Sequence, residues 1–246
     1  WILEGKKYLT VPEQTQLEQK IGAWSTGELI DAATYLLAGL KAAGCYTEFM
    51  DQTMGALHPV DRTFRDALQK IWRAGDLIAT TNYDLQLEET VGSTGISYTT
   101  PADILSVIRG KTENKVIHLH GRYDRENGID DIIADGPQYQ SILDNSGAQF
   151  IQNLLSTYPI VIVGCGGTVE DPNLAGFLSF AMEKLGTSDI PYFYLMKKGD
   201  TAPQLPGNAV MIYYGEDYGD LPQFLDELSL LRLQRRVGLP ALILSL

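Results

Sequence analysis

Three short stretches of this 246-residue chain carry side chains that could do chemistry. The first is Thr80-Thr81-Asn82-Tyr83-Asp84. The second is His118-Leu119-His120-Gly121. The third is Gly164-Cys165-Gly166-Gly167-Thr168, followed by Glu170-Asp171-Pro172-Asn173-Leu174. An imidazole titrates near neutral pH and can take a proton from a reacting group. An asparagine amide is no base, but it combines a donor and an acceptor and can hold a water and a hydroxyl together. A glycine cluster ahead of a helix leaves backbone amides bare, an arrangement that suits a phosphate or a ribose.

Each stretch also has a plainer reading. Thr-Asn-Tyr-Asp is good turn or helix-cap chemistry. His118 and His120 stand two apart and so face the same side of a strand. A metal site built on them would need a third ligand, and none stands at suitable spacing. The glycines could form a tight strand-to-helix turn. Asp171 could bond a ribose hydroxyl or cap a helix. Cys165 has no base assigned to it that would make it a nucleophile. His58, next to Pro59 in a loop between helices, reads as structural.

The elements that must position these groups follow from periodicity. Residues 12–75 read as helical, with Leu29, Ala33, Leu36, Leu37 and Leu40 at helical spacing and a second apolar face on Phe64, Leu68, Ile71 and Trp72. Strands are expected at 76–80, 96–99, 115–120, 159–163, 191–196 and 209–214. Helices are expected at 101–109, 139–157, 172–186 and 221–231, with an acidic loop at 124–136. Several strands are apolar throughout, as in a parallel sheet covered on both faces. The expected fold is therefore α/β, a Rossmann-like parallel sheet with helices on both faces and a helical cap subdomain beside it. In such a sheet ligands bind outside the carboxyl ends of the strands, and all three polar stretches follow strands.

Composition narrows the function classes. Lys plus Arg is 19 against 31 for Asp plus Glu, a formal charge of −12, which disfavours a direct nucleic-acid reader or an anionic-membrane binder. Cys45 and Cys165 are the only cysteines. Two thiols exclude a four-cysteine zinc site and a disulfide-dense secreted scaffold, and they fit a reducing cytoplasm. No run of eighteen apolar residues occurs, so no transmembrane span is expected.

Taken in order, Thr-Thr-Asn-Tyr-Asp, His-Gly at a strand end and Gly-x-Gly with Asp-Pro-Asn-Leu resemble the sirtuin-like NAD-consuming domains of bacterial anti-phage defence proteins. The resemblance covers residues 76 to 232. Sirtuins share Asn82, Asp84, His120, Gly121 and Gly164, whereas Thr81 and Tyr83 match the defence branch. Gly166 stands where sirtuins carry serine. The 42 residues from Arg122 to Val163 contain no cysteine, so the zinc module of the deacylases is absent and the helical cap is expected in its place. The resemblance also implies a first strand and a Gly-Ala-Gly-x-Ser loop ahead of Trp1.

What the resemblance implies is an NAD+ glycohydrolase that releases nicotinamide and ADP-ribose, acting as the toxic effector of a defence system. Its substrate would be NAD+, with no zinc. Asn82 and His120 would be catalytic. Thr81, Asp84, Gly164, Cys165, Gly166, Gly167, Asp171 and Tyr214 would bind the dinucleotide, with Tyr214 against adenine. Expected partners are further copies of the chain or a defence protein, namely an Argonaute-like protein, a translocase ATPase or a fused sensor domain. The alternatives are a non-catalytic NAD or ADP-ribose binding module and, against the missing cysteines, a protein deacylase. The expected organisation is a helical cap at 1–75, the NAD-binding domain at 76–232, and a tail or lead into a further domain at 233–246.

Overall fold

A computed structural model describes residues 2–21, 26–58, 61–73, 75–124, 132–143, 145–155, 158–164, 192–201, 209–235 and 241–244. The helices are α1 (Ile2–Gly5), α2 (Val11–Lys20), α3 (Thr26–Ala42), α4 (Tyr46–Thr53), α5 (Arg62–Arg73), α6 (Gln86–Val91), α7 (Pro101–Ile108), α8 (Gly136–Leu143), α9 (Ser146–Leu155) and α10 (Leu221–Arg235). The strands are β1 (Ile78–Thr80), β2 (Gly95–Ser97), β3 (Val116–His118), β4 (Ile160–Val163), β5 (Tyr192–Lys197), β6 (Ala209–Gly215) and β7 (Ala241–Leu244).

Among the described residues, seven strands join one parallel sheet in the order β2-β3-β1-β7-β4-β5-β6. Side chains alternate between its faces, and both faces are covered. Ile160 and Ile162 of β4 point into one cluster with Ala79, Ile117, Ile104 and Val107 of α7, Ile142 of α8 and Ile151 of α9. Val161 and Val163 point the other way, toward Leu68 and Ile71 of α5, Leu87 of α6, and Leu221 and Leu225 of α10. This two-sided burial is why the strands read as continuous apolar runs. The α/β Rossmann-like expectation is thereby met.

A third cluster stands apart from the sheet faces. Leu17 of α2, Leu36, Leu37 and Leu40 of α3, and Phe49 and Met50 of α4 pack with Tyr123, Ile132 and Ala134. It is the helical cap. Its first long helix starts at Thr10, whose backbone N–H donates to Glu13 Oε2 at 2.7 Å and whose hydroxyl donates to the same oxygen at 2.6 Å, closing a Thr-x-x-Glu box.

Two boundaries differ from the sequence expectation. Helix α5, placed with the cap at 1–75, packs on the sheet and against α10, because its Ala67-Leu68-Ile71 stripe is complementary to the β1/β4 face. Residues 241–244, placed in a tail or lead, form the central strand, hydrogen-bonded between β1 and β4. Inside the sheet both backbone edges of this Ala-Leu-Ile-Leu run are paired. Among the described residues no helix is long and apolar enough to cross a membrane.

Candidate functional site

The sheet register decides which side chains meet. Thr80 is level with His118 on one side and with Leu244 on the other, and Leu244 is level with Val163. Beyond that level the chain leaves β1 through Thr81 and Asn82, β3 through Leu119 and His120, and β4 through Gly164. Asn82 and His120 thus stand two residues past the same level on adjacent strands. The connections also diverge here. From β1 they run toward β2 and β3, from β4 toward β5 and β6, with β7 between. That is the switch point where open α/β sheets take ligands.

The His-Leu-His-Gly stretch is anchored by backbone hydrogen bonds. The Leu119 amide donates to Thr80 O at 2.8 Å, extending the ladder past β3, and the Ile133 amide donates to His120 O at 2.8 Å. His120 is 3% exposed. The Tyr139 ring of α8 meets its imidazole edge-on, with centroids 6.0 Å apart at 75°. Gly121 has φ +81°, a conformation that a side chain disfavours, so His-Gly is needed to turn the chain away directly after the imidazole. Gly164 turns the same way at the end of β4, with φ +74°.

The loop after β1 is held from several directions. The Asn82 backbone N–H donates to Thr80 Oγ1 at 3.0 Å. The Tyr123 amide donates to Tyr83 O at 2.6 Å, and the Tyr83 hydroxyl donates to Ile133 O. Tyr123 in turn hydrogen-bonds to Asp51 of α4. The cap is therefore tied to both candidate loops, through Tyr83 on one and Ile133 on the other. Asp84 Oδ1 accepts the Gln86 amide at 3.0 Å, which starts α6 and keeps the loop compact.

His118, wholly buried, is not a ligand. One ring nitrogen meets Asn82 O and the other meets Glu88 of α6. Among the described residues no group of three or more His, Cys, Asp or Glu could hold a metal ion.

Of the expected site residues, Thr81, Asn82, Asp84, His120 and Gly164 line the same edge of the sheet. Thr81, Asp84 and His120 are buried, Asn82 is half-buried and Gly164 is exposed. Tyr214 is set apart. It lies on β6 with β7, β4 and β5 between it and β1, about 19 Å across at the usual strand spacing. Its burial, first, and then the nearby Tyr218 and Asp200 push its hydroxyl above the ordinary tyrosine range. Cys165, Gly166, Gly167 and Asp171 lie outside the described residues, as do Asn173, Leu174 and the helix expected at 172–186.

Sequence reasoning missed Glu88, Gly95, Tyr139 and Ile133. Glu88 looks like any helix-surface acid, and nothing local marks Ile133 as the residue whose backbone bridges the two loops.

Buried polar groups at the carboxyl edge, beside two glycines that bend the backbone away, suit a sugar and its hydroxyls better than an apolar ligand. Residues 76–218 match the family model described as a SIR2-like domain, a class of generally NAD-dependent enzymes. The match spans more than half of the chain, so the chain belongs to the SIR2-like family.

Proposed function

We propose that the chain hydrolyses NAD+ to nicotinamide and ADP-ribose. The observation that carries this reading is the in-register pairing of β1 with β3, which sets the Asn82 and His120 loops side by side at the switch point. In the reaction the bond between the ribose carbon and the nicotinamide nitrogen breaks. The electron pair leaves with nicotinamide, and positive charge gathers on the ribose ring. Water adds to that carbon and loses a proton. His120 takes the proton from water or from a ribose hydroxyl. Asn82 orients the water and the ribose with its amide. Burial of His120 beneath Tyr139 excludes bulk solvent on that side. Thr81 and Asp84 shape the nicotinamide end. Gly164 to Gly167 and Asp171 receive the adenosine ribose and phosphates, and Tyr214 lies nearer the adenine.

The setting we propose is that of the defence branch. The chain depletes cytoplasmic NAD+ on a phage signal, and it is kept silent in a homo-oligomer or by a partner that does the sensing. A charge of −12 fits delegated sensing of nucleic acid. The reading uses no zinc.

The test is incubation of the full-length protein, in its activated assembly, with NAD+ and chromatography of the products. Wild type should release nicotinamide and ADP-ribose, and Asn82→Ala and His120→Ala should not. ADP-ribose binding without turnover would favour the sensor reading, and O-acetyl-ADP-ribose from an acylated peptide would favour a deacylase.

A further inference from the structure

We propose that Glu88 and His118 form a proton-sharing pair that positions Asn82. The proposal rests on the reading of Asn82 as the residue that orients water and ribose. His118 Nδ1 lies 2.8 Å from Asn82 O. A carbonyl oxygen only accepts, so Nδ1 carries a proton and donates it. His118 Nε2 lies 2.8 Å from Glu88 Oε1. Either Nε2–H donates to a carboxylate, or a protonated carboxyl donates to Nε2. In both cases one proton lies between the two groups and the pair is neutral overall.

The pair is sealed. The side chains of His118 and Glu88 are 0% and 7% exposed, and Glu88 Oε2 is buried with no hydrogen-bond partner among the described residues. A buried acid with an unsatisfied oxygen is a poor source of stability, which points to a positioning role. Four elements converge to make it: the carboxyl from α6, the ring from β3, the carbonyl from the β1 loop and a floor from β2. The floor is Gly95. A Cβ there would overlap Glu88 Oε1 and lie 3.1 Å from the His118 ring, so a side chain at this strand position would force the Glu88 carboxyl to shift. The Asn82 backbone N–H is already tied to Thr80 Oγ1. With His118 on its carbonyl, Asn82 is fixed at both flanking peptides, which sets where its side chain can reach.

Three variants and one spectrum test this. His118→Phe keeps a planar aromatic ring and removes the donor. It should lower kcat about tenfold or more, since small misplacements of a catalytic group are costly, and leave KM within about threefold, the mark of an interaction felt in the transition state. Gly95→Ala, whose Cβ would press on Glu88 Oε1 and lie 3.1 Å from His118 Nε2, should do the same. Glu88→Gln should stay close to wild type, because the introduced amide can donate to Nε2 and leave the Nδ1 proton on Asn82 O. Nitrogen-15 spectra of the three histidines should find a proton on His118 Nδ1 in wild type and in Glu88→Gln.

Wild-type kcat in His118→Phe, a loss confined to KM, a Glu88→Gln defect as large as that of His118→Phe, or a proton on Nε2 alone would each overturn the proposal. If wild type releases no nicotinamide, the reaction reading fails by itself. The positioning is then judged on the Nδ1 proton and on the Asn82 side-chain amide signals, which should move in His118→Phe and hold in Glu88→Gln. If His118→Phe and Gly95→Ala do not fold, Glu88→Gln and the wild-type spectrum still decide.

Discussion

The two ends of the sheet are built for different work. At the β2-β3-β1 end the strands are three residues long, and each is buried throughout. Polar side chains are buried there too, among them Thr80, Thr81, Asp84, Glu88, Ser97, His118 and His120. At the β5-β6 end the strands run six and seven residues. There β6 exposes Val210, Met211 and Tyr213, and the charges form surface pairs, Lys197 with Asp200 and Lys198 with Glu216. Both ends share one hydrogen-bond ladder. The difference is where polar groups sit. Buried polar groups must find partners, and finding them locks the loops that hold Asn82 and His120. Exposed pairs are solvated either way and lock little.

The largest contrast should appear in activity. His120→Ala should lower nicotinamide release by about 10²-fold or more, the usual worth of a positioned acid–base group, and Asn82→Ala by about as much through lost orientation of water and ribose, with circular dichroism unchanged. Changes in the Val210–Tyr213 stretch of β6 should leave turnover near wild type. Equal losses at both ends would break the comparison.

Core truncation should come next, and it should not respect the two ends. Ile162→Ala in the sheet core and Leu36→Ala in the cap should each cost about 2–5 kcal/mol in denaturant unfolding, as large-to-small changes at buried sites do. The side chains are 2% and 0% exposed. A cap variant that lost activity before it lost fold would extend the comparison to the cap, through Tyr83 and Ile133.

Tyr83→Phe tests that link directly. It removes the donor to Ile133 O and should cost about 1 kcal/mol, with a measurable fall in kcat because Ile133 also holds His120 O.

A pH titration reaches the other end. Burial raises the Tyr192 hydroxyl above its ordinary value of 10.0. The unfolded chain therefore releases this proton at lower pH than the folded one. The associated stability is present below pH 10.0 and is lost as pH rises toward the raised folded value. Alkaline melts should fall off in that window, and Tyr192→Phe should make the fall shallower. The smallest effect should be that of Lys198→Ala, whose partner Glu216 is also exposed. Its melting temperature should not move measurably.

Much of the site was legible before the fold was known. Thr81, Asn82, Asp84, His120 and Gly121 each follow a strand in the sequence, and a parallel sheet sends such residues to one edge. The Glu88–His118 pair was not legible. Thirty residues separate its members, and a glutamate on a short helix carries no mark of burial. Nor did Gly95 reveal its purpose, since a glycine at a strand start is ordinary until the atoms beside it are known.

The alternation of helices and strands, the two-faced burial of the sheet and the order of the polar loops could all be read from the amino-acid order. These follow from local periodicity and from residue types that act over a few positions. Which strands are neighbours emerged with the folded sheet. Folding set β7 between β1 and β4, gave α5 to the sheet instead of the cap, and brought the β3 histidine under the β1 loop. Pairing partners are chosen by contacts between distant segments, and no short window of sequence contains both sides of such a contact.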